Sequence, residues 1–281
     1  MHSIIADLSL LFVALIWGLT FPAVKGALGG ITPFAFLTIR FSIACLFLII
    51  LYPQSLKNMN KTTLGAGLLI GTALFSGYGF QTVGIQYTTA SNAAFITGLA
   101  VVIVPLLNIP FSRKLPNRYA FGGALSAAVG LSLLTLNTGF KANLGDILLL
   151  FCAVSFAAHI VLVSKYAPSL DTNLLTIVQI GAVAFTSGLF ALNLEVFPKE
   201  FTQEFWVALA ICAIPATSLA YWIQNKVQKY TSPARTAIIF AMEPVFGAVF
   251  AYFWMGEILT IRGIAGCIFV LLGMLISELK S

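Results

Sequence analysis

Charge is what this chain lacks most. Of 281 residues only 9% are Asp, Glu, Lys or Arg, against roughly 25% in an ordinary soluble domain. The acidic side is thinnest, with nine Asp and Glu against 15 Lys and Arg. With 59% hydrophobic residues, water is excluded as the main solvent of the fold and the bilayer takes its place. The four cysteines, Cys45, Cys152, Cys212 and Cys267, each sit inside an apolar run without CxxC or Cys/His spacing. That argues against disulfides and a metal site, and reads them as small packing residues. The loops hold no nucleophile and base pair, no metal-ligand cluster and no Gly-rich phosphate loop, so an enzyme and a bound cofactor are not expected. The basic residues are spread thinly and form no stripe. The formal net charge of +6 and pI near 9.2 therefore point to a membrane surface rather than nucleic acid.

What the chain has instead is long apolar runs. A span needs about 20 mostly apolar residues, and such runs recur at 8–28, 34–52, 63–84, 90–111 and 119–137. After a polar break at 137–143, five more follow at 146–166, 173–193, 205–225, 233–254 and 263–278. Asp7 and His2, not lysines, flank the first run, which reads as a retained helix rather than a secretion signal. Lys57, Lys61, Arg113, Lys114, Arg118, Lys165, Lys226, Lys229 and Lys280 fall on the side of the amino terminus, against Lys25, Lys141, Lys199 and Arg262 opposite. By the positive-inside rule both termini are expected in the cytoplasm.

The two sets of five echo each other at an offset of 143 residues. Gln81 matches Gln224, and Tyr87-Thr88-Thr89 matches Tyr230-Thr231-Ser232. Gly123 and Gly130 match Gly266 and Gly273, a small-residue stripe that lets helices pack closely. An odd number of helices per repeat sets the halves in opposite membrane topology, as in many secondary transporters. The expected architecture is all-α, ten transmembrane helices in two inverted five-helix repeats, 1–140 and 141–281, around a central cavity.

Several motifs carry a family resemblance over nearly the whole chain. They are Ala14-Leu15-Ile16-Trp17-Gly18 with Pro22, Ile39-Arg40-Phe41, Tyr87-Thr88-Thr89-Ala90-Ser91, Thr231-Ser232-Pro233-Ala234, Glu243-Pro244 and Met255-Gly256-Glu257. The chain resembles an EamA-type member of the drug/metabolite transporter superfamily. The resemblance implies two inverted repeats around a cavity and a carrier that commonly exports amino acids or other small metabolites. Arg113-Lys114 stand where the second half has Gly256-Glu257, which weakens any symmetric role for Glu257.

Polar groups at bilayer depth are expensive and need a reason. Glu243 lies about 16 Å into its run at 1.5 Å per residue. Pro244 follows it, and carbonyls freed by the proline beside a carboxylate would suit a cation, an ammonium group or a proton. The alternative is a structural carboxylate capped by a hydroxyl. Arg40 either holds a substrate carboxylate bidentately or locks two helices together. His159 is either a proton relay or a hydrogen-bonded core histidine. Trp17, Tyr78, Gln81, Tyr221, Trp222 and Gln224 complete a mostly apolar candidate pocket, although Trp222 also fits an interfacial aromatic belt. Pro22, Pro105, Pro215 and Pro244 interrupt apolar helices, either at a transport site or as packing kinks.

The expected function is a multi-pass carrier of the bacterial cytoplasmic membrane. It would export amino acids or related zwitterions by alternating access, with a small-molecule substrate, the lipid bilayer and, through Glu243 and His159, protons as partners. Nucleotide-sugars or drug-like cations are alternative cargoes. A passive channel or a lipid-handling protein is the alternative class.

Overall fold

The computed structural model describes residues 3–88, 90–113, 115–135, 143–255 and 260–278. His2, Thr89, Lys114, Lys141, the boundary at 140/141, the Gly256-Glu257 pair and Lys280 lie outside them. Among the described residues every regular element is a helix.

Eight helices are long and apolar enough to cross a membrane: Ile4–Ala27 (α1), Pro33–Leu51 (α2), Lys61–Gly84 (α3), Ala93–Ser112 (α4), Leu144–Tyr166 (α6), Thr172–Leu194 (α7), Gln203–Tyr230 (α8) and Pro233–Phe250 (α9). Two further helices, Arg118–Thr135 (α5) and Ile261–Glu278 (α10), stand where the sequence predicts spans five and ten. Glycine and serine dilute α5, and the apolar part of α10 is Ile261–Ile276, about 24 Å at 1.5 Å per residue.

Short polar side chains start the helices by taking up orphan backbone donors. Asn60 accepts from the Thr63 N–H ahead of α3. Asn143 and Asp146 form a reciprocal capping box at α6. Asp171, Thr202 and Ser232 cap α7, α8 and α9. Pro33 opens α2, and there Glu195, just past α7, accepts from the N–H groups of Phe34 and Ala35 at 3.0 and 2.8 Å. That carboxylate ties the start of one helix to the end of another.

At one crossing, that of α5 and α10, the helices pack by close approach of their backbones. On α5, a Cβ added to Gly130 would stand 2.6 Å from the Gly266 carbonyl of α10. One added to Gly273 would stand 2.5 Å from the carbonyl of Gly123. Only glycine permits backbones this near, which is the small-residue crossing that the stripe predicts.

Around the centre the helices are interrupted. Breaks fall at Leu19 in α1, Leu99 in α4 and Ala241-Met242 in α9. In α8, Pro215 opens a π-helical turn, Ile214–Leu219. Proline has no N–H to give the ladder. The Thr217 hydroxyl donates to the Cys212 carbonyl (2.7 Å), and that of Ser218 lies 3.1 Å from the Ala44 carbonyl of α2 and 3.3 Å from the Ala213 carbonyl. In α9 the Met242 N–H reaches only to Ile239 (3.1 Å), and the helix restarts at Glu243-Pro244. At the outer end of α9, Arg235 pairs with Asp7 of α1, so this charge is neutralised between helices.

Candidate functional site

The interruptions converge on a cavity of about 70 Å³. At roughly 10–15 Å³ per water it has room for about five to seven waters, the scale of a small solute. Trp17 and Thr20 reach it from either side of the α1 break, Thr97 and Gly98 from the α4 break, and Ala241, Glu243 and Pro244 from the α9 break. The break in α1 is pressed close to the restart of α9. A Cβ on Gly18 would meet Phe246 Cβ and the Gly247 nitrogen at 2.9 Å and the Glu243 carbonyl at 3.0 Å.

Four of the side chains on the wall are held by a partner behind them. Trp17 Nε1 donates to the Ala216 carbonyl inside the π turn at 2.9 Å. Its ring packs on Tyr221 and Phe240, with centroids at 5.4 and 4.8 Å. The Tyr221 hydroxyl donates to the Tyr78 oxygen at 2.8 Å. A His159 ring nitrogen lies 2.9 Å from Gln179 Oε1, and the ring meets Tyr221 edge-on at 5.6 Å. Gln224 donates from Nε2 to Gln228 Oε1 at 2.8 Å.

Glu243 stands in the first turn of the segment Glu243–Met255, where the positive end of the helix dipole favours an anion. Among the described residues no side chain hydrogen-bonds or ion-pairs with its carboxylate. The capped structural carboxylate that the sequence allows is therefore not what these residues form.

Of the residues chosen from the sequence, Trp17, Tyr78, Gln81, His159, Tyr221, Gln224 and Glu243 are brought together on the cavity wall. Arg40 and Trp222 are not on that wall. Arg40, 2% exposed, lies behind Tyr78. It donates from Nε to Thr217 Oγ1 at 2.8 Å and from NH2 to the Tyr78 hydroxyl at 3.2 Å, with its guanidinium 4.7 Å from the Tyr78 ring centroid. No carboxylate pairs with it among the described residues. Trp222 turns away, donating to Asn173 Oδ1 at 3.0 Å and stacking on Tyr52 with the Lys226 ammonium over its ring. That is the setting of an interfacial aromatic.

Sequence reasoning missed Thr97, Phe156 and Phe240 on the wall and Gln228 behind it. Gln228 had a signal, since it stands four residues after Gln224 and residues so spaced are neighbours on a helix. Phe156 and Phe240 had none, because apolar residues in apolar helices carry no pattern that separates cavity from core.

The profile of the EamA-like transporter family matches residues 4–136 and 143–279. The chain belongs to that family. A protein of Archaeoglobus fulgidus named "uncharacterized transporter" is 40% identical over 98% of this chain and 86% of its own length. The Bacillus subtilis protein named "uncharacterized transporter YoaV" is 24% identical, covering 95% of this chain and 94% of its own length. One solved crystal structure superposes with a TM-score of 0.82 at 17% identity, over 98% of this chain and 96% of that one. That likeness concerns the fold alone. As an EamA-like transporter the chain is a multi-pass membrane protein that carries a small-molecule substrate and is not an enzyme.

Proposed function

We propose that the chain is a secondary carrier of the bacterial cytoplasmic membrane that exports small metabolites, amino acids or related zwitterions first, by alternating access. In this reading α5 and α10 also cross the bilayer. The ten helices then form two inverted repeats, with both termini cytoplasmic. The observation that carries the reading is that the halves meet through equivalent residues. Tyr78 bonds Tyr221 and the Ser126 hydroxyl donates to the Phe269 carbonyl, each pair 143 apart, and the contact of Gly130 with Gly266 is exchanged between the halves as that of Gly273 with Gly123. Two repeats related by a two-fold axis in the membrane plane would meet along that axis in this way. The breaks at Leu99 and Met242 also stand 143 apart, on either side of the cavity.

Half-helices ending at a cavity leave backbone dipoles and a carboxylate facing it, which suits a polar solute in a dry site. Glu243 supplies the counter-charge for an ammonium group or a proton. His159 takes part in proton transfer if transport is proton-coupled. Uptake into proteoliposomes that saturates with solute concentration supports a carrier over a channel. Uptake linear in concentration contradicts it. An imposed pH gradient that leaves the rate unchanged removes the proton role from Glu243 and His159.

A further inference from the structure

Hydrogen-bond accounting decides which polarity the cavity wall presents. The amide nitrogen of Gln228 lies 2.6 Å from the Ile160 carbonyl and 2.6 Å from Ser164 Oγ. A carbonyl only accepts, so the NH₂ of Gln228 faces Ile160 and its oxygen faces Gln224. The group that Gln224 turns toward Gln228 is then its own NH₂. What remains is Gln224 Oε1, on a residue 1% exposed, with no hydrogen-bond partner among the described residues. An acceptor buried without a donor is destabilising until a donor arrives. Gln224 lines the cavity.

The tyrosine pair carries the opposite polarity. Tyr78 oxygen receives hydrogens from both Arg40 and Tyr221. Two phenols bring two hydroxyl hydrogens, and their mutual bond uses one. Among the described residues nothing accepts the other. Both rings line the cavity, and the buried guanidinium behind Tyr78 polarises the pair and strengthens the remaining O–H as a donor.

We propose that the cavity reads a small zwitterion by these two fixed polarities. The free hydroxyl hydrogen of the Tyr78–Tyr221 pair donates to the carboxylate, and Gln224 Oε1 accepts from the ammonium, whose charge Glu243 on the same wall balances. Arg40 is a positioning residue that acts through Tyr78, and Gln228 is one that acts through Gln224. The proposal rests on the carrier reading of the cavity and adds the atoms that set its specificity.

The test is a binding measurement on the purified full chain, using ligand-dependent thermal stabilisation. The probes are matched trios on one carbon skeleton: alanine, ethylamine and propionate, then leucine, 3-methylbutylamine and 4-methylpentanoate. At least one zwitterion is expected to bind about tenfold or more tightly than either of its halves. Tyr78→Phe lowers the preference over the amine, and Gln224→Leu lowers the preference over the acid, each by about tenfold. Gln228→Leu follows Gln224→Leu with a smaller effect. Tyr221→Phe keeps the Tyr78 hydrogen but takes away the hydroxyl that polarises it, and should lower the same preference by less. Ratios between probes cancel a general loss of folded protein, so a merely structural role would leave them unmoved. Zwitterions that bind no better than their halves, variants that keep the wild-type ratios, or a panel in which no zwitterion binds would each overturn the proposal. Selective binding without transport contradicts the carrier reading alone, whereas transport with flat selectivity contradicts only this proposal.

Discussion

Laid over each other at 143 residues, the two halves of the chain agree in frame and differ in chemistry. Tyr78 matches Tyr221, Gln81 matches Gln224, and the crossing glycines match in pairs. Yet Arg40 faces Val183 in the alignment, Glu243 faces Ala100, His159 faces Ile16 and Trp17 faces Ile160. Residues that set backbone approach are doubled, while ionisable groups at bilayer depth occur once. Packing at a crossing asks the same of both sides, so it tolerates repetition. A second Arg40 or Glu243 would put another charge into the apolar core, on the order of 2.5–3.5 kcal/mol on insertion scales. The half-helices differ in the same sense: α4 and α9 are both broken at the cavity, but the π turn of α8 has no counterpart in the unbroken α3.

Substitutions that attack the shared frame are expected to have the largest effects. Gly130→Leu or Gly273→Leu drives a side chain into the opposing backbone, and should cost about 3 kcal/mol or more, since the neighbour is main chain that cannot rotate away. Thermal unfolding in detergent measures this, and a midpoint within a degree of wild type would break the frame account. Gly18→Val strikes where α1 meets the restart of α9, and is expected to cost about 1–3 kcal/mol in the same assay and to lower transport further than stability alone explains.

Next come the unpaired chemical positions. Arg40→Met leaves the Thr217 oxygen without its donor and the Tyr78 oxygen with Tyr221 as its one remaining donor, while sparing the cavity lining. The expected loss is about 1–3 kcal/mol of stability, and Arg40→Lys should recover only part of it, lacking the planar fork. The smallest effect belongs to Trp222→Phe. It keeps the stack on Tyr52, forfeits one bond to Asn173 and is not itself on the cavity wall, so initial uptake rates should stay within about twofold of wild type. A tenfold loss would place Trp222 in the transport path.

Much of this fold was legible because the bilayer forces it. Apolar runs marked the spans, and small residues at one offset marked the crossing. α5 was less legible as a span, since Gly122, Gly123, Ser126 and Gly130 thin its hydropathy where packing needs them most. At the site, Trp17, Glu243 and the tyrosine and glutamine pairs stood out as polar or aromatic residues too deep for an interface. Arg40 stood out for the same reason, but depth along a helix does not reveal which way a side chain turns, and it lies behind Tyr78. Trp222 is one residue from Tyr221, which on a helix is about 100° around the axis and enough to leave the cavity. Gln228 was passed over although its role is written in its spacing from Gln224.

The central claim is that the cavity around Trp17 and Glu243 is where a solute is carried. Its most direct test is initial-rate uptake into proteoliposomes by wild type, Glu243→Gln and Trp17→Ala, each reconstituted to equal folded amounts, across a panel of small metabolites. The account predicts saturable uptake of at least one solute by wild type and a fall of roughly 10- to 100-fold in both variants, about 1.4–2.8 kcal/mol of lost transition-state stabilisation. Wild-type rates in both variants for every solute carried would contradict it.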